Sequence, residues 1–278
     1  MVRTFTCALV SSRAKVCFDT VPIPSATNEM GYFPEAFDEL LREFGRGDVF
    51  TLVAADAGSA SDTNGRHVRD ADRHYLFRVK NTLPTLLTEA RAQLAWRTAR
   101  EAVAESEDVC KPYVYQRRLY LTEEMAGFEW DHLQTVLRIE VEKVHLEAGG
   151  VVPLKEEDAN RYYLSSLPAG ELSAAQWLLL VRRYWGVENG PHFTLDRIME
   201  EDDHPWIVND PQGMVVVLLL RRIAYNLMAL FRDVTQRSED KRGTPWKDLL
   251  RWMRNALIAL TDADVLGLRV RTVPTTGI

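Results

Sequence analysis

Cysteine is scarce in this 278-residue chain: Cys7, Cys17 and Cys110 are the only three, and no two have C-x-x-C spacing. That odd set predicts reduced thiols, and argues against a disulfide framework or a zinc site. Long hydrophobic runs are lacking as well, since the longest wholly apolar one, Met214 to Leu220, is closed by Arg221 and Arg222. It falls far short of the roughly 20 residues that cross a bilayer, so the sequence predicts no membrane span. The opening Val2-Arg3-Thr4-Phe5-Thr6-Cys7 is too polar for the apolar region of a secretory signal and predicts a cytoplasmic protein. A Walker loop, a Rossmann glycine fingerprint and internal repeats are all missing. So is any excess of positive charge. With 34 basic and 40 acidic residues the net charge is -6, so a nucleic-acid contact must use local patches.

What is present is the ordinary globular balance. Hydrophobic residues make up 46% and charged residues 27%, which excludes whole-chain disorder, and the length suits one or two domains. Two β-rich stretches, 4–10 and 15–23, are joined by a polar link and read as a strand pair. Phe33, Phe37, Leu40, Leu41 and Phe44 form the apolar stripe of a helix over 29–44, stopped by Gly45-Arg46-Gly47. Phe50 to Ala55 is apolar without alternation, as in a strand covered on both faces, and it ends in Asp56. A carboxylate therefore sits at the carboxyl end of a buried strand, the edge where open α/β sheets bind ligands.

A helix over about 62–72, a strand at Tyr75 to Val79 and a long helix from Pro84 past residue 100, capped by Thr82, complete a β-β-α-β-α-β-α order. Residues 112–170 then read as a β-rich insertion. Within it Leu137, Ile139 and Val141 alternate with charged neighbours as in a half-exposed antiparallel strand. Ser173 caps a helix predicted to continue toward Met199, Asp210-Pro211 starts another to about 233, and Thr244-Pro245 a third to about 261. The implied segments are a core part at 1–111, the insertion at 112–170, a second core part at 171–235 and a helical extension and tail at 236–278.

Chemistry concentrates between Arg182 and His192. On a continuous helix Tyr184, Glu188, His192 and Asp196 share one face, and Gly186 and Gly190-Pro191 imply a kink near Glu188. The bland alternative is an ion-paired Glu188 beside a satisfied core histidine. Trp177, Tyr184 and Trp185 read as core, and Glu200 to Asp203 as a solvated acidic helix end. Lys241, Arg242, Arg251 and Arg254 form a weak basic cluster, and Arg269 and Arg271 a frayed tail.

The run Arg182, Tyr184, Trp185, Gly186, Val187, Glu188, Asn189, then His192, Leu195, Asp196, Glu201 and Asp202, resembles the glutamate region of DDE transposases of bacterial insertion sequences. It is most similar to their H-repeat-associated branch. Four more collinear blocks carry the resemblance: Thr27-Asn28-Glu29; Asp56-Ala57; Tyr75, Lys80, Asn81, Pro84, Leu86 and Leu87; and Tyr162-Tyr163-Ser165-Ser166-Leu167-Pro168. Together they cover about residues 1–235. The sequence departs from the family pattern at Tyr184 (usually His), Phe193 (usually Trp) and Pro205 (often Arg).

The resemblance implies a ribonuclease-H-like α/β fold: a mixed sheet with helices, interrupted by the β-rich insertion and followed by C-terminal helices. It further implies two divalent metals, normally magnesium with manganese able to substitute, held by two aspartates and a glutamate. Hard cations take carboxylate oxygens, and a metal pair activates an attacking oxygen and stabilises a leaving one. By motif, Asp56 is the second aspartate and Glu188 the glutamate. Asn189, His192, Arg182, Tyr184, Lys80 and Asn81 are supporting or DNA-contacting positions, and surface ion pairing is the competing role for Arg182 and Arg183.

The family's first aspartate lies on a strand ahead of the first strand pair. Residues 1–18 hold no acid, so that strand is expected before Met1, with Asp19 a remote substitute and a pairing edge left on the sheet. The implied partners are double-stranded DNA, at transposon ends and target, and further copies of the chain or an intact transposase. The implied activity is metal-dependent strand cleavage and transfer, little or none of it by this chain alone. Two alternatives stand beside it: a non-catalytic remnant that regulates by binding DNA or transposase, and an unrelated metal-dependent nuclease that has recruited Asp19.

Overall fold

The computed structural model describes residues 3–12, 14–47, 49–201, 203–204, 206–235, 244–261 and 264; at Glu188, Asn189 and Thr235 it describes the backbone alone. Lys241, Arg242, Arg269, Arg271, Asp202 and Pro205 lie outside the described residues. The chain divides into two units, one of Met1–Val10 with Phe18–Glu188, the other of Ser11–Cys17 with Asn189–Ile278.

The first unit is mixed α/β. Strands β1 (Arg3–Ala8) and β2 (Cys17–Ile23) pair with each other. A seven-stranded sheet runs in the order β3 (Leu52–Ala55), β4 (His74–Val79), β9 (Asn160–Ser165), β7 (Thr135–His145), β6 (Tyr113–Thr122) and β5 (Ala104–Cys110), with the short β8 (Val151–Val152) on β7. The β3 and β4 strands are parallel, with Ala55 opposite Phe77, and the remaining pairs are antiparallel. Strands from 112–170 thus supply the middle of the sheet rather than a separate body.

Period-two alternation sorts the strand residues onto two faces. Tyr75, Phe77, Val79, Tyr162 and Leu164 pack with Phe33, Phe37 and Leu40 of α1 (Glu29–Phe44), Val68 of α2 (Asp62–Asp70) and Ala90 and Leu94 of α3 (Pro84–Leu94). Leu76, Leu119, Leu137, Ile139 and Tyr163 pack on the other face against Trp177, Leu178 and Val181 of α5 (Ala174–Val187). A further short helix, α4 (Glu156–Ala159), precedes β9. The β3 residues are half-buried rather than fully covered, because a terminal strand has one neighbour, but they reach both clusters: Val53 and Ala55 one, Leu52 and Ala54 the other.

Several expectations change, the first being that Leu83, without a side-chain hydrogen bond, stands at the N-cap of α3 in place of Thr82. Helix α3 ends at Leu94, not beyond 100, and the reason is Arg138 on β7. The residue is 5% exposed, and its guanidinium donates to the carbonyls of Leu94 (2.9 Å), Ala95 (3.3 Å) and Arg97 (3.3 Å), so the helix end is satisfied by a side chain. The same residue overturns the half-exposed alternation expected for β7, since Thr135 to Ile139 are all buried. Strand β5 was not expected, because Ala104-Glu105-Ser106-Glu107-Asp108 has little β propensity. Cross-strand ion pairs, Asp108 with Arg117 (2.7 Å) and Glu105 with Arg118 (3.5 Å), hold it on β6. Lastly, the helix from Ser173 does not run straight to Met199. Five-residue-spaced π-type turns take over at Glu188–His192 and Thr194–Ile198, around Gly190 and Pro191.

In the second unit, α6 (Pro211–Leu230) is N-capped by Asp210 and buries Val217, Arg221, Tyr225 and Met228 along one stripe. With its following turn it is long and apolar enough to cross a membrane, with a mean hydropathy of 1.8 over its best window. Two arginines at its midpoint set it apart from a typical span. Arg222 pairs with Glu201 at 2.6 Å, and Arg221 donates to the carbonyls of Glu201 (3.1 Å) and His204 (2.6 Å). Glu201, expected in a solvated acidic run, is therefore drawn into a buried pair. Tyr225 stacks at a tilt on Trp246 at the start of α7 (Trp246–Ala259), with centroids 5.6 Å apart. Asn226 brackets the backbone of Cys17, accepting its N–H at 2.8 Å and donating to its carbonyl.

Arg138→Ala is expected to cost about 3–5 kcal/mol in urea unfolding, because it removes a buried guanidinium that donates to the end of α3 and leaves Glu140 without that ion pair; a loss under about 1 kcal/mol would sink that role. Burial pushes the Cys17 thiol up to about 11, so at pH 8 a thiol reagent should modify exposed Cys110 far faster than Cys17. The Cys17 rate should then climb with pH toward about 11, read by mass spectrometry.

Candidate functional site

The parallel pair β3 and β4 delivers its carboxyl ends to one end of the sheet, where Asp56 follows β3. Asp56 Oδ1 accepts the Gly58 N–H at 2.6 Å, and the Asp56 carbonyl accepts the Ser59 N–H at 3.2 Å, so the carboxylate is held in a tight turn. Facing it is Glu29, the first residue of α1, whose helix is capped by Asn28 Oδ1 on the Gly31 N–H at 2.9 Å. A methyl group placed on Gly58 would lie 2.7 Å from Glu29 Oε2 and 3.0 Å from Asp56 Oδ1. Glycine there lets two carboxylates approach the same point. The sequence pattern marked Glu29 only as part of a block; the signal that pairs it with Asp56 is three-dimensional, the approach of the α1 N-terminus to the turn after β3.

Glu188 directly follows Val187, the last residue of α5. One turn earlier, Trp185 packs against Arg78 of β4, the guanidinium carbon lying 4.6 Å from the ring centroid, and against Arg161 of β9 at 3.7 Å. Its indole N–H also donates to the Tyr163 hydroxyl. Arg78 is one residue past Phe77, the partner of Ala55, so the end of α5 is fixed over the strand beside the one that carries Asp56. Arg182 pairs with Asp108 of β5, which also holds Arg117. Tyr184 packs edge-on against Tyr163, with centroids 6.3 Å apart, and Trp177 is fully buried.

The supporting positions separate. Lys80 and Asn81, just past β4, line a cavity of about 270 Å³ together with Arg78, Arg91 and Arg161. Asn189 and His192 belong to the second unit, in the π-type turn, as does Asp196 in the next one. The four-residue spacing therefore no longer keeps Tyr184, Glu188, His192 and Asp196 on a single α-helical stripe. Asp19 lies in β2, its Oδ1 accepting the Thr20 N–H at 2.7 Å. In the last helix Arg251 pairs with Asp248 at 2.8 Å.

The donor chemistry of the Asp56 and Glu29 pair suits a hard divalent cation, which prefers carboxylate oxygen. Among the described residues no third His, Cys, Asp or Glu joins them in a metal-sized group. No protein-family model matches the chain, and no curated protein matches it.

Gly58→Ala would wedge the two carboxylates apart, since the added carbon meets both. We expect a melting temperature close to that of the wild type, and manganese affinity, followed by electron paramagnetic resonance, weakened about tenfold. Unchanged manganese binding would count against a shared carboxylate site.

Proposed function

We propose that the chain is part of a DDE-type transposase of the H-repeat-associated branch, built on a ribonuclease-H-like core and performing metal-dependent phosphodiester chemistry on DNA in the cytoplasm. The observation that carries this is the placement of Asp56 at the sheet end over which Trp185 anchors the last turn before Glu188. The five collinear blocks of the resemblance add to it: within them Asp56-Ala57 follows β3, Lys80-Asn81 follows β4, and Arg182 to Val187 lies in α5.

In this proposal Asp56 and Glu188 are the carboxylates of the site, with Glu29 beside Asp56. Magnesium, when bound, would supply the charge that activates an attacking oxygen and stabilises a leaving one. The chain's own residues prepare for that. The Gly58 N–H orients Asp56, the stack of Arg78, Trp185 and Arg161 fixes where α5 ends, and Lys80 and Asn81 stand at the rim where a DNA backbone would pass.

The test is nicking of supercoiled DNA by the purified full chain in magnesium or manganese. Weak nicking by the wild type, lost in both Asp56→Asn and Glu188→Gln with folding intact, is the expected result. Activity equal in the wild type and both variants would refute these assignments. Duplex binding with no nicking in either metal would instead favour the non-catalytic alternative, a remnant that acts by occupying DNA or transposase.

A further inference from the structure

The cavity at the end of β4 has a lining whose charge opposes that of the whole chain. Five cations, Arg78, Lys80, Arg91, Lys155 and Arg161, meet only two carboxylates there, Glu156 and Glu157, in a protein of net charge -6. The cations arrive from four different places: the end of β4, α3, the approach to α4, and the start of β9. Val79 and Tyr162 are the last paired residues of β4 and β9 at this end, so the strands part where the cavity opens. The accumulation of charge there comes from tertiary structure, not from a basic run in the sequence.

The buried part of this lining is only partly neutralised. Arg78 is 5% exposed and donates to a neutral acceptor, the Glu157 carbonyl, at 3.1 Å. Arg161, with its side chain 17% exposed, has Asp158 at 3.6 Å, and its buried Nε lacks a hydrogen-bond partner among the described residues. Both guanidiniums lie against the same indole, that of Trp185. Burial lowers the pKa of Arg161, with Tyr163 and Asp158 opposing the effect and Arg78 and Arg117 adding to it, so the net cost of placing a cation here is one that an anion would reduce. Arg91 adds one more cation at the wall, beside Tyr162.

We propose that this cavity is a phosphate subsite, holding one phosphate group of the DNA backbone close to the Asp56 end of the sheet. It rests on the DNA function proposed above. Planar guanidiniums that are partly dehydrated and held by stacking suit a tetrahedral oxyanion better than flexible surface lysines do. The open, 270 Å³ space admits a phosphate with part of its sugar but not a stacked base pair. Inorganic phosphate is the other source of the same ligand chemistry.

The experiment uses the full chain, a short fluorescein-labelled duplex followed by anisotropy over a salt series, and calorimetric titration with inorganic phosphate. The variants are Arg161→Gln and the double variant Arg91→Gln with Lys155→Gln. The double variant alters exposed side chains and so remains informative if Arg161→Gln fails to fold. Support would be duplex affinity reduced about tenfold and a salt dependence shallower by about one counterion in the folded variants. Wild-type duplex binding that the folded variants match in affinity and salt slope would overturn the subsite and leave the DNA function standing. Phosphate binding lost in the variants, without duplex binding by the wild type, would keep the subsite and remove the DNA function. Binding of neither probe by the wild type would overturn both.

Discussion

One buried guanidinium organises the first unit. Arg138 sits mid-strand on β7, takes the carbonyls that end α3, accepts orientation from Asn160 Oδ1 at 2.8 Å and Glu140 at 3.2 Å, and lies 4.7 Å from the centre of the Tyr120 ring. One side chain thus links a helix terminus to three adjacent strands. A charge in that position is tolerable only because nearly every donor has an acceptor, which makes it intolerant of partial replacement. It also fixes where α3 stops, and so where the chain turns to enter β5.

The layers above and below the sheet have different duties. Helices α1 to α3 bury the aromatic face of β4 and β9, and α1 brings Glu29 to the turn after β3. Helix α5 covers the aliphatic face and ends on Trp185, which Arg78 and Arg161 hold. The carboxylate end of the sheet is therefore approached from both sides by elements whose positions are set by apolar packing.

Much of this was legible in the residues. The apolar stripe from Phe33 to Phe44 predicted α1, Asp210-Pro211 predicted the start of α6, and the unalternating Phe50 to Ala55 predicted a strand that delivers Asp56. Where prediction failed, long-range partners had overruled local pattern. Arginine reads as a surface residue in any window, so neither the burial of Arg138 nor the early end of α3 could be anticipated. The acidic β5 reads as a loop until Arg117 and Arg118 of the next strand are placed opposite it. Gly186 and Gly190-Pro191 did signal an interruption near Glu188, yet its form, successive π-type turns, depends on packing that spacing does not encode. The pairing of Glu29 with Asp56 and the gathering of Arg78, Arg91, Lys155 and Arg161 around Lys80 had no local signature.

The two outer strands of the large sheet are chemically unlike. On β5, Glu105 and Glu107 are exposed, and such charges discourage a further strand from adding there. The four residues of β3 carry no charge, and β3 is the terminal strand among the described residues. The sheet is thus capped by electrostatics on one flank only. Edge-to-edge growth in a concentrated solution would start beside Asp56, so conditions that favour self-association would also obstruct the carboxylates.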